Sequence, residues 1–213
     1  LSDAHRFDGI ARRGLCFLIA APSGAGKSTI TRALLARETG LSLSVSVTTR
    51  APRAGEEEGV HYFFRSDEEF ARMAAAGELL EHATVFGRGY GTPRAPVEAA
   101  LAAGQDVVFD IDWQGCRQVR AVLPMDTVSV FILPPSVAAL EARLRGRAGD
   151  DAAEIARRMA QARSEMSHAP EFDHVLVNDD LEACIAAARG VLVAARSATS
   201  RLVGLGGVLE TFG

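Results

Sequence analysis

The stretch Ala21-Pro22-Ser23-Gly24-Ala25-Gly26-Lys27-Ser28 stands between an apolar run, Leu15-Cys16-Phe17-Leu18-Ile19, and a helix-forming run from Ser28 through Thr29 to Arg37. A buried strand, a glycine-rich turn and a helix in that order bring backbone N–H groups and a helix N-terminus to one point. The glycines allow close approach and positive φ, so the loop can wrap an anion. Lys27 adds a compact charge for β- and γ-phosphates, and the Ser28 hydroxyl is of the type that ligates Mg²⁺. Among 23 lysine and arginine residues Lys27 is the only lysine, which singles out this loop. Ala21 departs from the P-loop pattern, which begins with glycine, so the first turn has to accommodate a methyl group.

Working outward, 213 residues with 48% hydrophobic side chains can bury one substantial core. A net charge of −4 argues against a general nucleic-acid binder, so local basic clusters need another explanation. Cys16, Cys116 and Cys184 are odd in number and widely spaced, as expected of reduced, buried thiols in cytosol. The five histidines show no metal-ligand spacing. Arg12-Arg13 before Leu15 imitates a signal peptide, but the apolar run is short and enters the phosphate loop, which suits a first core strand better. With no run long enough for a transmembrane helix, the expectation is a soluble, cytoplasmic protein without a membrane partner.

Gly40 reads as a helix C-cap, and Leu41 to Val47 alternate as a strand with one wet face. His61 to Phe64 is a short strand, Ser66-Asp67-Glu68-Glu69 a capping box opening a helix to about Ala76, and Glu78 to Phe86 another strand before a Gly-rich turn. Residues 46 to about 97 thus form a small mixed insertion. Val107 to Asp112 is an apolar strand ending in acids, where α/β sheets present ligands. Val128 to Leu133 is a further strand, stopped by Pro134-Pro135 and followed by a helix from Ser136. Residues 143–158 are arginine-dense, as suits a lid; Val175 to Asn178 is the last strand, Leu181 to Arg196 a closing helix, and 197–213 a weakly ordered tail. Alternating strands and helices imply an α/β, three-layer P-loop NTPase core with a mostly parallel sheet.

Arg50 and Arg53 flank Pro52, and their guanidiniums can converge on one phosphate; a plain surface loop is the other reading. Tyr62 and Tyr90, the only tyrosines, both fall in the insertion, where a phenol can donate to a phosphate or simply pack. Glu56-Glu57-Glu58 reads as a solvated turn. Glu81 interrupts an apolar run and either lines a cleft, accepting two N–H donors from a base, or faces solvent. Trp113 reads as packing.

These motifs, with Gly59-Val60-His61-Tyr62, Tyr90-Gly91-Thr92, Asp110-Ile111-Asp112-Trp113-Gln114-Gly115 and Val177-Asn178-Asp179-Asp180, make residues 13–196 closely resemble the guanylate kinases of the nucleoside monophosphate kinase group. The resemblance implies ATP + GMP ⇌ ADP + GDP with Mg²⁺, and dGMP as an alternative acceptor. It implies ATP binding by Ser23, Gly24, Ala25, Gly26, Lys27 and Ser28 of the loop at 21–28 and by Thr29 after it, with Asn178 near the adenine. Arg50, Arg53, Tyr62 and Tyr90 would hold the GMP phosphate. Ser46, Glu81, Thr92 and Asp112 would read guanine, Thr92 standing where the family commonly has serine. Arg143, Arg147 and Arg158 match lid arginines that contact ATP phosphates and act with Lys27 and Arg50 in catalysis. Asp110 orients Mg²⁺ through water or makes a structural hydrogen bond. The resemblance leaves the oligomeric state open, homo-oligomers included. It also admits an inactive protein-binding module and a kinase for another phosphate ester.

Overall fold

The computed structural model describes residues 11–145 and 152–212. Ala11–Arg12 (β1) lead into Cys16–Ala20 (β2), the phosphate loop, Lys27–Arg37 (α1) and Leu41–Leu43 (β3). Val47–Thr48 (β4), Phe63–Phe64 (β5), Asp67–Ala75 (α2), Leu79–Val85 (β6) and Arg88–Pro93 (β7) follow. Arg94–Ala102 (α3) then connects to Asp106–Asp110 (β8), Trp113–Val122 (α4), Thr127–Leu133 (β9), Val137–Arg145 (α5) and Ala152–Met166 (α6). His174–Val177 (β10), Leu181–Arg196 (α7), Leu202–Val203 (β11) and Leu205–Glu210 (α8) complete the chain.

The central sheet has the order β10-β9-β2-β8-β3, and every neighbouring pair is parallel. Each residue of β2 is buried to 1% exposure or less, because the strand has a partner on both edges and helices on both faces. Cys16, Leu18 and Ala20 pack on one face with Val97 and Leu101 of α3 and Cys116 and Val119 of α4. Phe17 and Ile19 pack on the other with Ile30 and Leu34 of α1 and Ile185, Ala188 and Leu192 of α7. Three layers result, with β2 in the middle of the middle one.

A second, four-stranded sheet, β5-β4-β7-β6, is mixed: β4 pairs with β5 in parallel and with β7 antiparallel, and β7 pairs with β6 antiparallel. The single strand expected over Leu41 to Val47 is therefore two. Ser44 N–H still donates to Val108 O, and the chain then leaves the core so that Val47 pairs with Phe63 and Gly91. The capping box forms as read, Ser66 Oγ accepting from Glu69 N–H while the Glu69 carboxylate accepts from Ser66 N–H. β7 occupies what the sequence presents as a Gly-rich turn. Its glycines are close-approach positions: a Cβ on Gly89 would lie 2.8 Å from the Phe70 ring, and one on Gly91 2.7 Å from Glu81 O.

Residues 197–212, read from sequence as a weakly ordered tail, carry α8 and β11, which pairs antiparallel with β1; Arg201 beside it is buried. That pairing lies near an ion cluster at the start of β8. Asp106, its side chain fully buried, accepts from both terminal nitrogens of Arg12, from Arg196 Nε at 2.7 Å and from Leu15 N–H at 3.0 Å. Arg196 and Arg189 also bind Glu38 at the end of α1, so β1, β8, α1 and α7 meet in one network. No helix among the described residues is long and apolar enough to cross a membrane.

Removing one member of a buried ionic cluster strands the others. Asp106→Ala is expected to lower unfolding stability by about 2–3 kcal/mol, since Arg12 and Arg196 keep part of their hydration. Urea denaturation measures this, and an unchanged midpoint would show that the cluster contributes nothing net.

Candidate active site

The phosphate loop leaves β2 at the carboxyl end of the sheet, between neighbours β8 and β9. Gly24 and Gly26 have φ of 90° and 99°, so the turn relies on glycine at both positions. Gly26 is the N-cap of α1, whose first residue is Lys27; Gly26 O accepts from Thr29 and Ile30 N–H. Ala21 keeps an ordinary negative φ, and its methyl packs against the β2–α1–α7 cluster, so the departure from glycine is accommodated by apolar contact. Lys27 Nζ lies 2.5 Å from Asp110 Oδ1 at the end of β8 and donates to Ile111 O at 3.0 Å. The lysine is thereby aimed across the mouth of the loop toward the acids.

Asn178 braces this loop from behind. It is 4% exposed, its side-chain amide donates to Ala25 O at 2.7 Å, and its backbone carbonyl accepts from Arg143 at 3.2 Å. Gly24, Gly26, Thr29, Arg143, Asn178, Asp179 and Leu181 line one pocket of about 240 Å³. Asn178, expected near an adenine, thus lies in that pocket with its amide engaged by the loop. Arg158 lies on α6 beside Glu154 at 3.2 Å, and Arg147 falls outside the described residues.

Glu81 projects from β6 next to a register irregularity between Leu79 and Glu81, which breaks strict alternation and leaves Leu79, Leu80 and Glu81 all buried. Glu81 is 7% exposed, and its carboxylate accepts from Thr92 Oγ1, across the strand pair, at 2.7 Å. Burial first, and then the nearby Asp112 charge, push its pKa above the ordinary carboxylate value, against the lowering effect of Thr92. Asp112 caps α4, accepting from Gly115 N–H at 2.8 Å, and a Cβ on Gly115 would lie 3.2 Å from Glu81 Oε2. Glu81, Thr92 and Asp112 therefore do converge, through a glycine the sequence reading had not selected. Its signal was its place at the third position of a helix whose N-cap is an acid. Ser46 precedes β4, and its carbonyl accepts from Phe63 N–H.

At the same sheet, Arg50 lies 5.4 Å from the Tyr62 ring centroid, and Tyr62 and Tyr90 meet edge-on at 6.2 Å. Glu56, expected as a solvated turn residue, instead binds Arg50 through both carboxylate oxygens and accepts from Arg53 N–H at 2.7 Å. Those bonds, the Arg50 one first, hold its pKa below the usual carboxylate range. Arg53 joins the cluster by its backbone. Trp113 packs as read, stacked on His168 at 3.5 Å with Arg117 over its ring.

The arrangement offers a phosphate cradle, a second cationic site with two phenols, and a buried carboxylate set for paired N–H donors. Comparison with known proteins identifies a family. The guanylate kinase family model matches residues 13–195. A guanylate kinase of Gluconobacter oxydans is 65% identical, the match covering 90% of this chain and 92% of that protein. One from Granulibacter bethesdensis is 62% identical, with 89% of each covered. The crystal structure of guanylate kinase from Anaplasma phagocytophilum superposes with a TM-score of 0.74 at 36% identity, covering 95% of this chain and 96% of that one.

A Cβ on Gly26 would lie 2.4 Å from Asn178 Nδ2 in a backbone region hostile to side chains. Gly26→Ala is expected to weaken nucleoside triphosphate binding at least about tenfold in calorimetry while the circular dichroism spectrum is kept, because a strained loop must distort to admit the methyl. Unaltered affinity would contradict the glycine requirement.

Proposed function

We propose that this chain, which belongs to the guanylate kinase family, transfers the γ-phosphoryl group of ATP to GMP or dGMP, giving ADP and GDP or dGDP. The observation that carries the guanine assignment is the buried Glu81 carboxylate, held by Thr92 at 2.7 Å. Guanine presents N1–H and a 2-amino group side by side, and one carboxylate accepts both. Adenine offers an acceptor at N1 and no 2-amino donor, so it would leave a buried carboxylate unpaired. Ser46, Thr92 and Asp112 complete the base site in this reading.

A phosphate oxygen of GMP attacks the γ-phosphorus, and the bond from that phosphorus to the β,γ-bridging oxygen breaks, releasing ADP. Such a transfer needs alignment and positive charge more than a covalent participant. Arg50, Tyr62 and Tyr90 hold the acceptor phosphate with Arg53, while Lys27 and the loop amides hold the donor phosphates. Arg143 already lies in the donor pocket, and Arg147 and Arg158 add charge from the lid. Ser28 and Asp110 supply oxygen donors of the kind Mg²⁺ prefers, directly or through water. When bound, Mg²⁺ neutralises phosphate charge.

We place the protein in the cytoplasm, in purine nucleotide metabolism and GMP recycling; its three buried, unpaired thiols support that compartment. A non-catalytic binding module is less favoured, because the phosphate loop, Lys27 and Asp110 are all retained and lie together, which supports catalysis. A kinase for another phosphate ester leaves the Glu81–Thr92 pair without purpose.

Three measurements test this reading. Lys27→Met is expected to cost on the order of 10²-fold or more in kcat in a folded protein, by analogy with losing one preorganised donor. Near-normal turnover would sink the loop's role. Glu81→Gln is expected to lower kcat/KM for GMP at least about tenfold more than for IMP, which lacks the 2-amino group. An unchanged GMP:IMP ratio would remove Glu81 as base reader.

The third is pH dependence. The ionised carboxylate binds guanine, and its pKa in the free protein is raised, so kcat/KM for GMP falls with acidification at pH values above the ordinary carboxylate range. The same shift favours the folded protein below the unfolded-state pKa, and that advantage is lost as pH rises through the folded value. The acid limb should vanish in Glu81→Gln; its persistence would assign it to another group.

A further inference from the structure

Within its sheet β6 is an edge strand, so alternate backbone N–H and C=O groups on its outer side have no strand partner. At His82, the residue after Glu81, that gap is closed by a side chain of the core. His82 N–H donates to Gln118 Oε1 at 3.0 Å, and Gln118 Nε2 donates to His82 O at 3.1 Å. The reciprocal pair allows only one orientation of the amide. Gln118 thus acts as a one-residue strand, joining the second sheet to α4. It stands three residues after Gly115, so the two fall on neighbouring positions of one helix face. Gly115 underlies the Glu81 carboxylate, and Gln118 grips the backbone one residue further along.

We propose that Gln118 is a positioning residue for purine discrimination, fixing through the His82 backbone where the Glu81 carboxylate lies against α4. This rests on the assignment of Glu81 as base reader. The carboxylate has to meet two donors about as far apart as its own oxygens, so a small rotation of β6 spoils the second hydrogen bond before the first. Loss of the clamp therefore weakens recognition of the 2-amino group selectively. A clamp that served only to hold the sheet in place would depress every acceptor alike.

The test uses the full chain with GMP and IMP as acceptors under saturating ATP. Gln118→Met keeps length and helix propensity but removes both hydrogen bonds. It is expected to lower the GMP:IMP ratio of kcat/KM by about tenfold, chiefly through KM for GMP, with KM for ATP unchanged. Gln118→Glu, which retains an acceptor for His82 N–H, is expected to recover part of the ratio, and it serves as the test variant if the methionine protein fails to fold. In a Glu81→Gln background, Gln118→Met is expected to leave the ratio where Glu81→Gln alone puts it. Equal losses for GMP and IMP, or no loss, would overturn the proposal while a ratio altered by Glu81→Gln preserved the base-reader assignment. A ratio insensitive to Glu81→Gln would overturn both.

Discussion

The close approach of Gly26 to Asn178 is the constraint on which the site depends. The loop can turn back on itself only with left-handed backbone at Gly24 and Gly26, and it keeps that shape because Asn178 holds Ala25 O from behind. Asn178 comes from the end of β10, at the sheet's edge, while the loop leaves β2 at its centre. The curvature of the phosphate cradle is thus set by the spacing of three parallel strands. Lys27, Asp110 and Arg143 take their positions from the same framework.

Charge is divided between the two ends of that sheet. At the amino ends of the strands, Asp106 and Glu38 are buried and bound by Arg12, Arg189 and Arg196. Those pairs pin elements together, and a structural role accounts for them fully. At the carboxyl ends Lys27 meets Asp110, and beside the second sheet Arg50 meets Glu56; the acids of these two pairs are more accessible, and in the proposed reading each cation faces a phosphate. A protein of net charge −4 can therefore present a basic cleft. Glu56 holds Arg50 in shape without neutralising the cleft as a whole, because it engages one terminal nitrogen of the guanidinium and leaves other N–H groups for a second acceptor.

Much of this was legible in the sequence where local signals and tertiary packing agree. The apolar run before the loop became β2, the capping box at Ser66 formed, and Leu181 to Arg196 became α7. What the sequence concealed follows from long-range contacts. β7 is hidden because Gly89 and Gly91 are there for the Phe70 ring and the Glu81 carbonyl, not for a turn. Leu41 to Val47 alternate without interruption, although the chain changes sheets within them, and alternation carries no record of which sheet a residue joins. The pairing of β1 with β11 joins segments at opposite ends of the chain, and the short β11 has no periodicity to announce it. In the site, residue types were readable and their partners were not: Glu56 as an organiser of Arg50, and Gly115 beneath Glu81, appear only once the chain is folded.

The central claim is that one buried carboxylate and two cationic clusters make this a phosphotransferase selective for guanine. The most direct measurement is ADP release from MgATP with GMP, AMP, UMP or no acceptor, at equal concentrations below saturation. The account predicts rapid release with GMP, a rate with AMP lower by about 10⁴-fold, and only background with UMP or without acceptor. Comparable rates with AMP, or release that needs no acceptor, would contradict it.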